Sequence, residues 1–176
     1  MANTYELIEA KTLSSNTNVV TFSGIPGTYT DLLLKASTRQ NGSAEGSQIG
    51  IRFNGSSASE YSRMAIYGDG NGTVGDVSAA SETFARLFFA ESSTYTANTF
   101  NNVEIYIPNY VSSKYKVFST DSVTEHSAAL QYAQSLFGGM WSNTSAITSL
   151  SLSDLAGTGT DFAINSTFYL YGIKNS

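Results

Sequence analysis

Residues 161–176 have the sequence Asp161-Phe-Ala-Ile-Asn-Ser-Thr-Phe-Tyr-Leu-Tyr-Gly-Ile-Lys-Asn-Ser176. In an extended chain, one side of this stretch carries Phe162, Ile164, Phe168, Leu170 and Gly172. The opposite side carries Asn165, Thr167, Tyr169 and Tyr171. A period of two with one apolar side predicts a long, half-buried β-strand. We therefore expect this stretch to be built into a sheet of an all-β protein, with Tyr, Thr and Asn on the outer side.

Strand-like segments recur between turn signals along the rest of the chain. They cover residues 5–13, 19–22, 32–37, 49–53, 61–67, 84–91, 103–107, 115–123, 132–141 and 146–153. Residues 24–27 and the pair Asn54-Gly55 are turn signals, and we interpret 68–75 as a glycine-rich loop. Residues 127–135 have helix propensity and could form one short helix. The pattern predicts a single domain over residues 1–176, an antiparallel β-sandwich or barrel of about ten or eleven strands.

The composition indicates a folded protein with a neutral, polar surface. Charged residues make up only 13% of the chain, against about 25% in an average protein, while Phe and Tyr number 10 and 11. Many aromatics and a net charge of -5 argue against disorder. A pI near 4.7 argues against nucleic-acid binding, which needs a basic face. Lys114 and Lys116 are the one close basic pair, and we expect them on a solvated strand face.

Several classes of protein are disfavoured by what the sequence lacks. There is no cysteine, which excludes disulfides, thiolate nucleophiles and cysteine-ligated zinc, and is compatible with assembly in a reducing cytoplasm. The first residues do not have the pattern of a signal peptide, and no stretch approaches the ~20 apolar residues of a membrane span. Triplets such as Asn143-Thr-Ser145 are therefore interpreted as products of an Asn-, Ser- and Thr-rich composition rather than glycosylation sites.

The loop Gly68-Asp-Gly-Asn-Gly-Thr-Val-Gly75 is the sequence's best candidate for a ligand site. A phosphate-binding loop needs a following helix N-terminus and usually a lysine, and this loop has neither signal. Aligned on a calcium-binding loop, Tyr67 and Ser78 occupy the positions that need Asp and Glu. We expect a flexible connection, with no metal and no cofactor.

No set of residues in the sequence specifies catalysis. His126 is the only histidine, and there is no Gly-x-Ser-x-Gly motif around a serine nucleophile. Carboxylate pairs that could serve a glycosidase are not specific in a chain with 14 acids; they are Glu6 with Glu9, Glu82 with Glu91, and Asp121 with Glu125. We predict a protein that is not an enzyme, and a depolymerase remains the least favoured alternative.

Aromatic residues leave two interpretations open. Trp141, Tyr169 and Tyr171 could form a platform on which sugars stack, as in β-sandwich carbohydrate-binding modules. Alternatively, these side chains fill the core or a subunit interface. Tyr169 and Tyr171 share one side of the terminal strand, which we interpret as a packing or assembly surface.

Several segments together carry a resemblance to a known family. They are Tyr5-Glu-Leu-Ile-Glu9, Val20-Thr-Phe-Ser-Gly-Ile-Pro26, Tyr29-Thr-Asp-Leu-Leu-Leu-Lys35, Arg52-Phe-Asn-Gly-Ser56, Ile105-Tyr-Ile-Pro-Asn-Tyr110, Gly139-Met-Trp-Ser-Asn-Thr144, Ala146-Ile-Thr-Ser149 and Phe168-Tyr-Leu-Tyr-Gly-Ile-Lys174. With them, the chain resembles a family of tailed-bacteriophage virion proteins, which has been associated with jelly-roll capsid decoration (cement) or fibre-type proteins. The resemblance extends over nearly the whole chain, and its motifs are structural rather than catalytic.

The resemblance implies a jelly-roll-like antiparallel β-sandwich of about ten strands. It also implies a non-enzymatic virion protein on the capsid surface, assembled in the host cytoplasm. Its partners would be the major capsid protein, bound without covalent links, and copies of itself, with a trimer as the favoured oligomer. The interface candidates are Tyr5, Glu6, Tyr169 and Tyr171. The alternative is a tail-fibre or receptor-binding domain that recognises a bacterial surface glycan, although the chain has no coiled-coil heptads.

Overall fold

The computed structural model describes residues 4–43, 48–68, 74–90, 92–124, 134–154 and 160–174. These residues form twelve β-strands and no helix. The strands are β1 (Tyr5–Thr12), β2 (Val19–Ser23), β3 (Asp31–Thr38), β4 (Gln48–Phe53), β5 (Tyr61–Gly68), β6 (Val74–Glu82), β7 (Ala85–Phe89), β8 (Asn101–Ile107), β9 (Lys116–Val123), β10 (Gln134–Trp141), β11 (Ser149–Ser153) and β12 (Thr167–Ile173).

The strands pair into two antiparallel sheets. The large sheet has eight strands in the order β1-β12-β3-β8-β9-β10-β5-β6, and the small sheet has four in the order β2-β11-β4-β7. From β1 to β5 the chain changes sheet at every connection, which is the repeated crossing of a jelly-roll-like sandwich. The predicted all-β antiparallel sandwich is confirmed, with twelve strands rather than about ten.

The core lies between the two sheets and comes from the alternating positions of their strands. In β3 and β8 the apolar side chains that enter this core include Leu32 and Leu34, and Val103, Ile105 and Ile107. The small sheet meets them with large apolar side chains, namely Phe22, Ile49, Ile51, Phe53, Leu150 and Leu152. Because both sheets have one apolar side, stacking them removes that surface from water at about 25 cal/mol per Å².

The terminal strand is shorter than its sequence pattern predicts. Asn165 adopts a positive φ of 71° and the Ser166 N–H donates to the Ala163 carbonyl oxygen, so a turn precedes β12. The turn leaves Ile164 exposed, which corrects its predicted place on the buried side. Phe162 remains buried, and its ring meets that of Phe168 edge-on at 5.1 Å. The strand itself lies between β1 and β3, as expected of a strand built into a sheet.

One further segment differs from its prediction, and most of another lies outside the residues that the structure describes. Strand β6 starts at Val74, within a region that we interpreted as loop, and it pairs with β5. The predicted short helix over 127–135 lies outside the described residues up to 133, and its last two residues begin β10. Within the described ranges, no helix has the length and hydropathy needed to cross a membrane.

Candidate interaction site on the outer face of the large sheet

Part of the outer face of the large sheet is apolar, although a face turned to solvent is usually polar. Five apolar side chains project from β5, β9 and β10 on this side, and between 43% and 68% of each is exposed. We call them the outer apolar patch: Met64, Ile66, Val117, Val123 and Leu136. Contiguous exposed apolar surface on a folded protein commonly marks an interaction site.

Strand register brings these side chains together. Leu136 lies opposite Ile66 across the β10–β5 pair, and Gln134 of β10 lies opposite Val123 of β9. Gly138, between Leu136 and Met140, faces the same way, and a methyl group added there meets nothing within 4 Å. Met64, Ile66 and Leu136 therefore lie together on β5 and β10 beside Gly138, whereas Val117 and Val123 lie on β9 with the exposed Ser119 and Asp121 between them.

On the inner face of β9 and β10, three hydroxyl groups are buried beside aromatic side chains such as Phe118 and Phe137. Thr120, Ser122 and Ser135 are buried, and the Ser122 and Ser135 hydroxyl oxygens lie 2.6 Å apart in a hydrogen bond. Thr120 Oγ1 has no hydrogen-bond partner among the residues that the structure describes. Burying hydroxyl groups while leaving Leu, Ile and Met in water is unfavourable for an isolated domain. Covering the outer apolar patch would remove these five side chains from water.

The other half of the outer face contains a shallow groove of about 410 Å³. It is lined by side chains of β1, β3, β8 and β12: Tyr5, Leu33, Lys35, Glu104 and Tyr171. Lys35 Nζ lies 2.9 Å from Glu104 Oε2, and about half of each side chain is exposed. The hydrogen bond to Glu104 raises the pKa of Lys35 above its ordinary value. The groove is therefore lined by two tyrosine side chains and by one ion pair whose opposite charges balance each other.

A smaller hollow of about 120 Å³ links the groove to the outer apolar patch. Its lining includes Glu104, Tyr106, Asp121 and Leu136, so it shares one residue with each region. The Tyr106 hydroxyl donates to Asp31 Oδ2 at 2.7 Å, which raises the pKa of Tyr106 to about 12. The Asn109 N–H donates to the other carboxylate oxygen of Asp31 at 2.8 Å. The buried Asp31 carboxylate therefore holds the Tyr106 side chain in place at the edge of the hollow.

The structure brings three of the four interface candidates to the outer face. Tyr171 lies opposite Leu7 of β1 and Leu33 of β3, and Tyr169 lies two residues away on the same side of β12. Tyr5 is 57% exposed and lines the groove with Tyr171. Tyr5, Tyr169 and Tyr171 therefore lie together on this side, and their role as an assembly surface stays a prediction.

Glu6, the fourth candidate, takes no part in the groove. It alternates with Tyr5 along β1 and pairs with Lys174, whose Nζ lies 3.0 Å from Glu6 Oε2. The hydrogen bond and charge of Lys174 lower the pKa of Glu6, and the ammonium also lies 5.3 Å from the centre of the Tyr29 ring. Glu6 is thus an exposed ion-pair partner beside the face rather than a part of it.

Two sequence candidates are buried. Trp141 is 1% exposed, and its indole N–H donates to Glu60 Oε2 at 2.9 Å, so Trp141 belongs to the core and offers no platform to a sugar. Lys116 is also 1% exposed, which corrects its expected place on a solvated face. Strand β9 turns Lys116, Phe118 and Thr120 inward together, and burial lowers the pKa of Lys116.

The remaining candidates give no catalytic or metal-binding arrangement among the described residues. Glu9 pairs with Lys11, and Glu82 lies 2.9 Å from Arg63 Nε and 3.5 Å from Arg86 Nε. No group of three or more His, Asp or Glu side chains in the described ranges could hold a metal ion. His126, Glu91, Glu125 and the loop residues 69–73 lie outside those ranges.

Comparison with known proteins leaves the family open. No protein-family model matches the chain, and no curated protein matches it. One similar solved structure is a scytalido-glutamic peptidase crystallised with a transition-state analogue inhibitor. It shares 11% sequence identity, covers 88% of this chain and 75% of its own, and superposes with a TM-score of 0.34. A similarity at that level carries no argument about fold or activity.

Proposed function

We propose that this chain is a non-enzymatic structural protein of a phage virion, which decorates the capsid by non-covalent contact with the major capsid protein. The observation that carries the proposal is the outer apolar patch, five exposed apolar side chains on the outer side of β5, β9 and β10. The resemblance to tailed-phage virion proteins supports the same assignment. On this proposal the protein acts at the virion surface.

The chemistry of the outer face suits attachment to another protein. The outer apolar patch supplies desolvation energy, and tyrosines, which are enriched at protein interfaces, continue the face toward β1. The Lys35–Glu104 ion pair neutralises the groove between them. A neutral, rigid sheet face can repeat the same contact at many symmetric sites without depending on ionic strength.

Capsid binding by outer-face variants tests the proposal. Ile66→Ser with Leu136→Ser should abolish co-sedimentation of the purified protein with capsids that lack it. Val19→Ser is the matched control, because Val19 is 45% exposed on the small sheet and Leu136 is 43% exposed on the large one. Equal binding by the double variant and the control would contradict attachment through this face, provided that both melt as cooperatively as the wild type.

We propose that the protein assembles with copies of itself, with a trimer as the favoured state. Strands β1 and β6 form the two edges of the large sheet, and unpaired edges invite pairing with another chain unless they are covered. Light scattering at micromolar concentration should give a mass above that of one chain. A stable monomer would remove self-association from the proposal and leave the capsid contact to be tested separately.

A second candidate function is recognition of a bacterial surface glycan by a tail-fibre or receptor-binding domain. The groove favours it, because Tyr5 and Tyr171 offer ring faces beside the polar Lys35–Glu104 pair. A glycan array should then show binding that Tyr171→Ala removes and Val19→Ser retains. Capsid binding without any glycan signal would decide for decoration.

A further inference from the structure

One lysine has no acceptor for its side-chain ammonium group among the residues that the structure describes. The other four lysine amines have partners, carboxylates for three and carbonyl oxygens for one: Lys11, Lys35, Lys174 and Lys116. Lys114 is exposed in the connection between β8 and β9, and no described residue accepts from its ammonium group. Its charge is therefore available to a partner from outside the chain.

Two apolar side chains accompany Lys114 in this connection. Val111 is 39% exposed, and Tyr115, the next residue after Lys114, is 56% exposed. We call these three residues the loop knob: Val111, Lys114 and Tyr115. An exposed tyrosine beside a positive charge suits a protein interface, because tyrosine offers a large apolar ring together with a polar end.

Hydrogen bonds hold the backbone of the loop knob in place. The Ser112 N–H donates to the Asn109 carbonyl oxygen at 2.9 Å. The buried Lys116 amine donates to the Lys114 carbonyl oxygen at 2.6 Å and to that of Asn143 at 3.4 Å, which ties the loop to the segment after β10. A loop that is already fixed loses little conformational freedom on binding, so the knob is ready for a partner.

The hollow on the outer face of the large sheet has the complementary charge. Glu104 of β8 lies directly opposite Asp121 of β9, and both carboxylates line the hollow of about 120 Å³ together with Tyr106. Lys35 Nζ, 2.9 Å from Glu104, balances one of the two charges. The exposed Asp121 carboxylate has no partner among the described residues. Like charges directly opposite each other destabilise a sheet, so a second cation is favourable here.

We propose that the loop knob of one copy docks on the hollow of a second copy, with the Lys114 ammonium group against the Asp121 carboxylate. The two surfaces have unpaired charges of opposite sign, and each has apolar neighbours, since the Tyr106 ring lines the hollow. Apolar side chains that exclude water around an ion pair strengthen the attraction between its charges. Docking balances the charge of Asp121, so the occupied hollow has no net charge, like the neighbouring groove.

The proposed contact joins two different surfaces of the same chain. Every copy therefore offers one knob and one hollow, and a closed ring of copies occupies all of them. Met64 and Ile66 of the outer apolar patch lie on β5, outside the hollow, and stay free for the capsid. The inference rests on the self-association proposed above, whose contact it names, and it does not depend on the capsid assignment.

Charge reversal and its rescue test this contact by light scattering at micromolar concentration. Lys114→Glu and Asp121→Lys should each lower the mass from that of the wild-type oligomer to that of one chain. The double variant with both changes should recover the oligomer, because its knob and hollow again have opposite charges. Both side chains are exposed and unpaired, so all three variants should melt near the wild-type temperature.

Asp76→Lys is the matched control, because Asp76 is another exposed carboxylate without a partner among the described residues. It lies opposite Ile66 on β6, outside the hollow, and its reversal should leave the oligomer intact. An oligomeric wild type that neither single reversal dissociates would overturn this contact alone. Dissociation by Asp76→Lys as well, or a double variant that stays monomeric, would also overturn it. A monomeric wild type would overturn it together with the proposed self-association.

Discussion

Asp31 shows how one buried charge positions part of the outer face. It is 3% exposed, and its two carboxylate oxygens accept hydrogen bonds from the Tyr106 hydroxyl and the Asn109 N–H. A buried carboxylate is tolerated when hydrogen-bond donors replace water. Because Tyr106 lines the hollow between the groove and the outer apolar patch, Asp31 couples core packing to the shape of the surface.

The Asp31–Tyr106 hydrogen bond predicts a pH dependence of stability. The bond raises the pKa of Tyr106 from 10.0 to about 12, so its contribution is complete below pH 10 and is lost as pH rises through about 12. Tyr106→Phe should lower the free energy of unfolding by about 1 kcal/mol near neutral pH. Urea unfolding across this window should show the difference between wild type and variant shrinking. A constant difference would contradict the assignment.

Arg39 anchors the segment between β7 and β8. Its Nη1 donates to the carbonyl oxygens of Thr96 at 2.7 Å and Thr99 at 2.9 Å, and Nη2 donates to that of Tyr95 at 3.1 Å. A lysine ammonium cannot reproduce this planar set of donors. Arg39→Lys should therefore cost about 2 kcal/mol and speed amide hydrogen exchange over 93–99.

Arg52→Lys is the control for the Arg39 prediction. The Arg52 guanidinium makes one exposed hydrogen bond, from Nε to the Thr83 carbonyl oxygen at 3.3 Å. Its replacement should leave stability and exchange nearly unchanged. Comparable losses in the two variants would mean that the Arg39 hydrogen bonds do not hold the segment.

At the scale of the strand, two adjacent glycines of β10 predict opposite responses to the same substitution. Gly139 faces inward opposite Phe118, and a methyl group placed there would overlap the Phe118 ring. Gly138 faces outward into open space. Gly139→Ala should cost about 1–3 kcal/mol by overpacking the core. Gly138→Ala should keep or slightly raise the melting temperature, since alanine loses less conformational freedom on folding.

Calorimetry of both glycine variants checks this prediction. If the two melt at the same temperature, the inward and outward assignment of β10 is incorrect. The same assignment places Leu136 in the outer apolar patch and Trp141 in the core, so this result also bears on the proposed interaction face.

Strands with one large apolar side could be predicted from the sequence. In β8 and β12 the alternating apolar positions are buried, so a period of two identifies both the strand and its orientation. Strand β6 was missed because its residues 77–80, Val-Ser-Ala-Ala, are mostly small and give no strong alternation. It is a strand because β5 pairs with it, and that partner is set by the fold.

The outer apolar patch could not be predicted because β9 reverses the usual rule. Val117 and Phe118 are both apolar, so the local sequence permits either orientation, and packing of Phe118 against Phe53 selects the one that buries Lys116. The patch also joins Ile66 and Leu136, which are far apart in sequence and meet through strand register. By contrast, the shared outward side of Tyr169 and Tyr171 in β12 could be predicted from the alternation of apolar and polar residues alone.

At the scale of the whole molecule, the two sheets differ in their number of strands, and the larger one has a broad outer side. Four strands pack against eight, and the outer side of the larger sheet spans all eight strands from β1 to β6. That side presents the tyrosine groove, the linking hollow and the outer apolar patch in sequence across the sheet. We infer that a partner covers this side, and our proposal identifies the partner as the capsid.

Quantitative mass spectrometry of purified phage particles tests the proposed capsid role of this protein most directly. The account predicts a fixed ratio of this protein to the major capsid protein, of the order of one copy for each symmetric capsid site, and particles without it should be less stable to heat. A copy number matching the tail apparatus, or absence of the protein from the particle, would contradict a capsid decoration role.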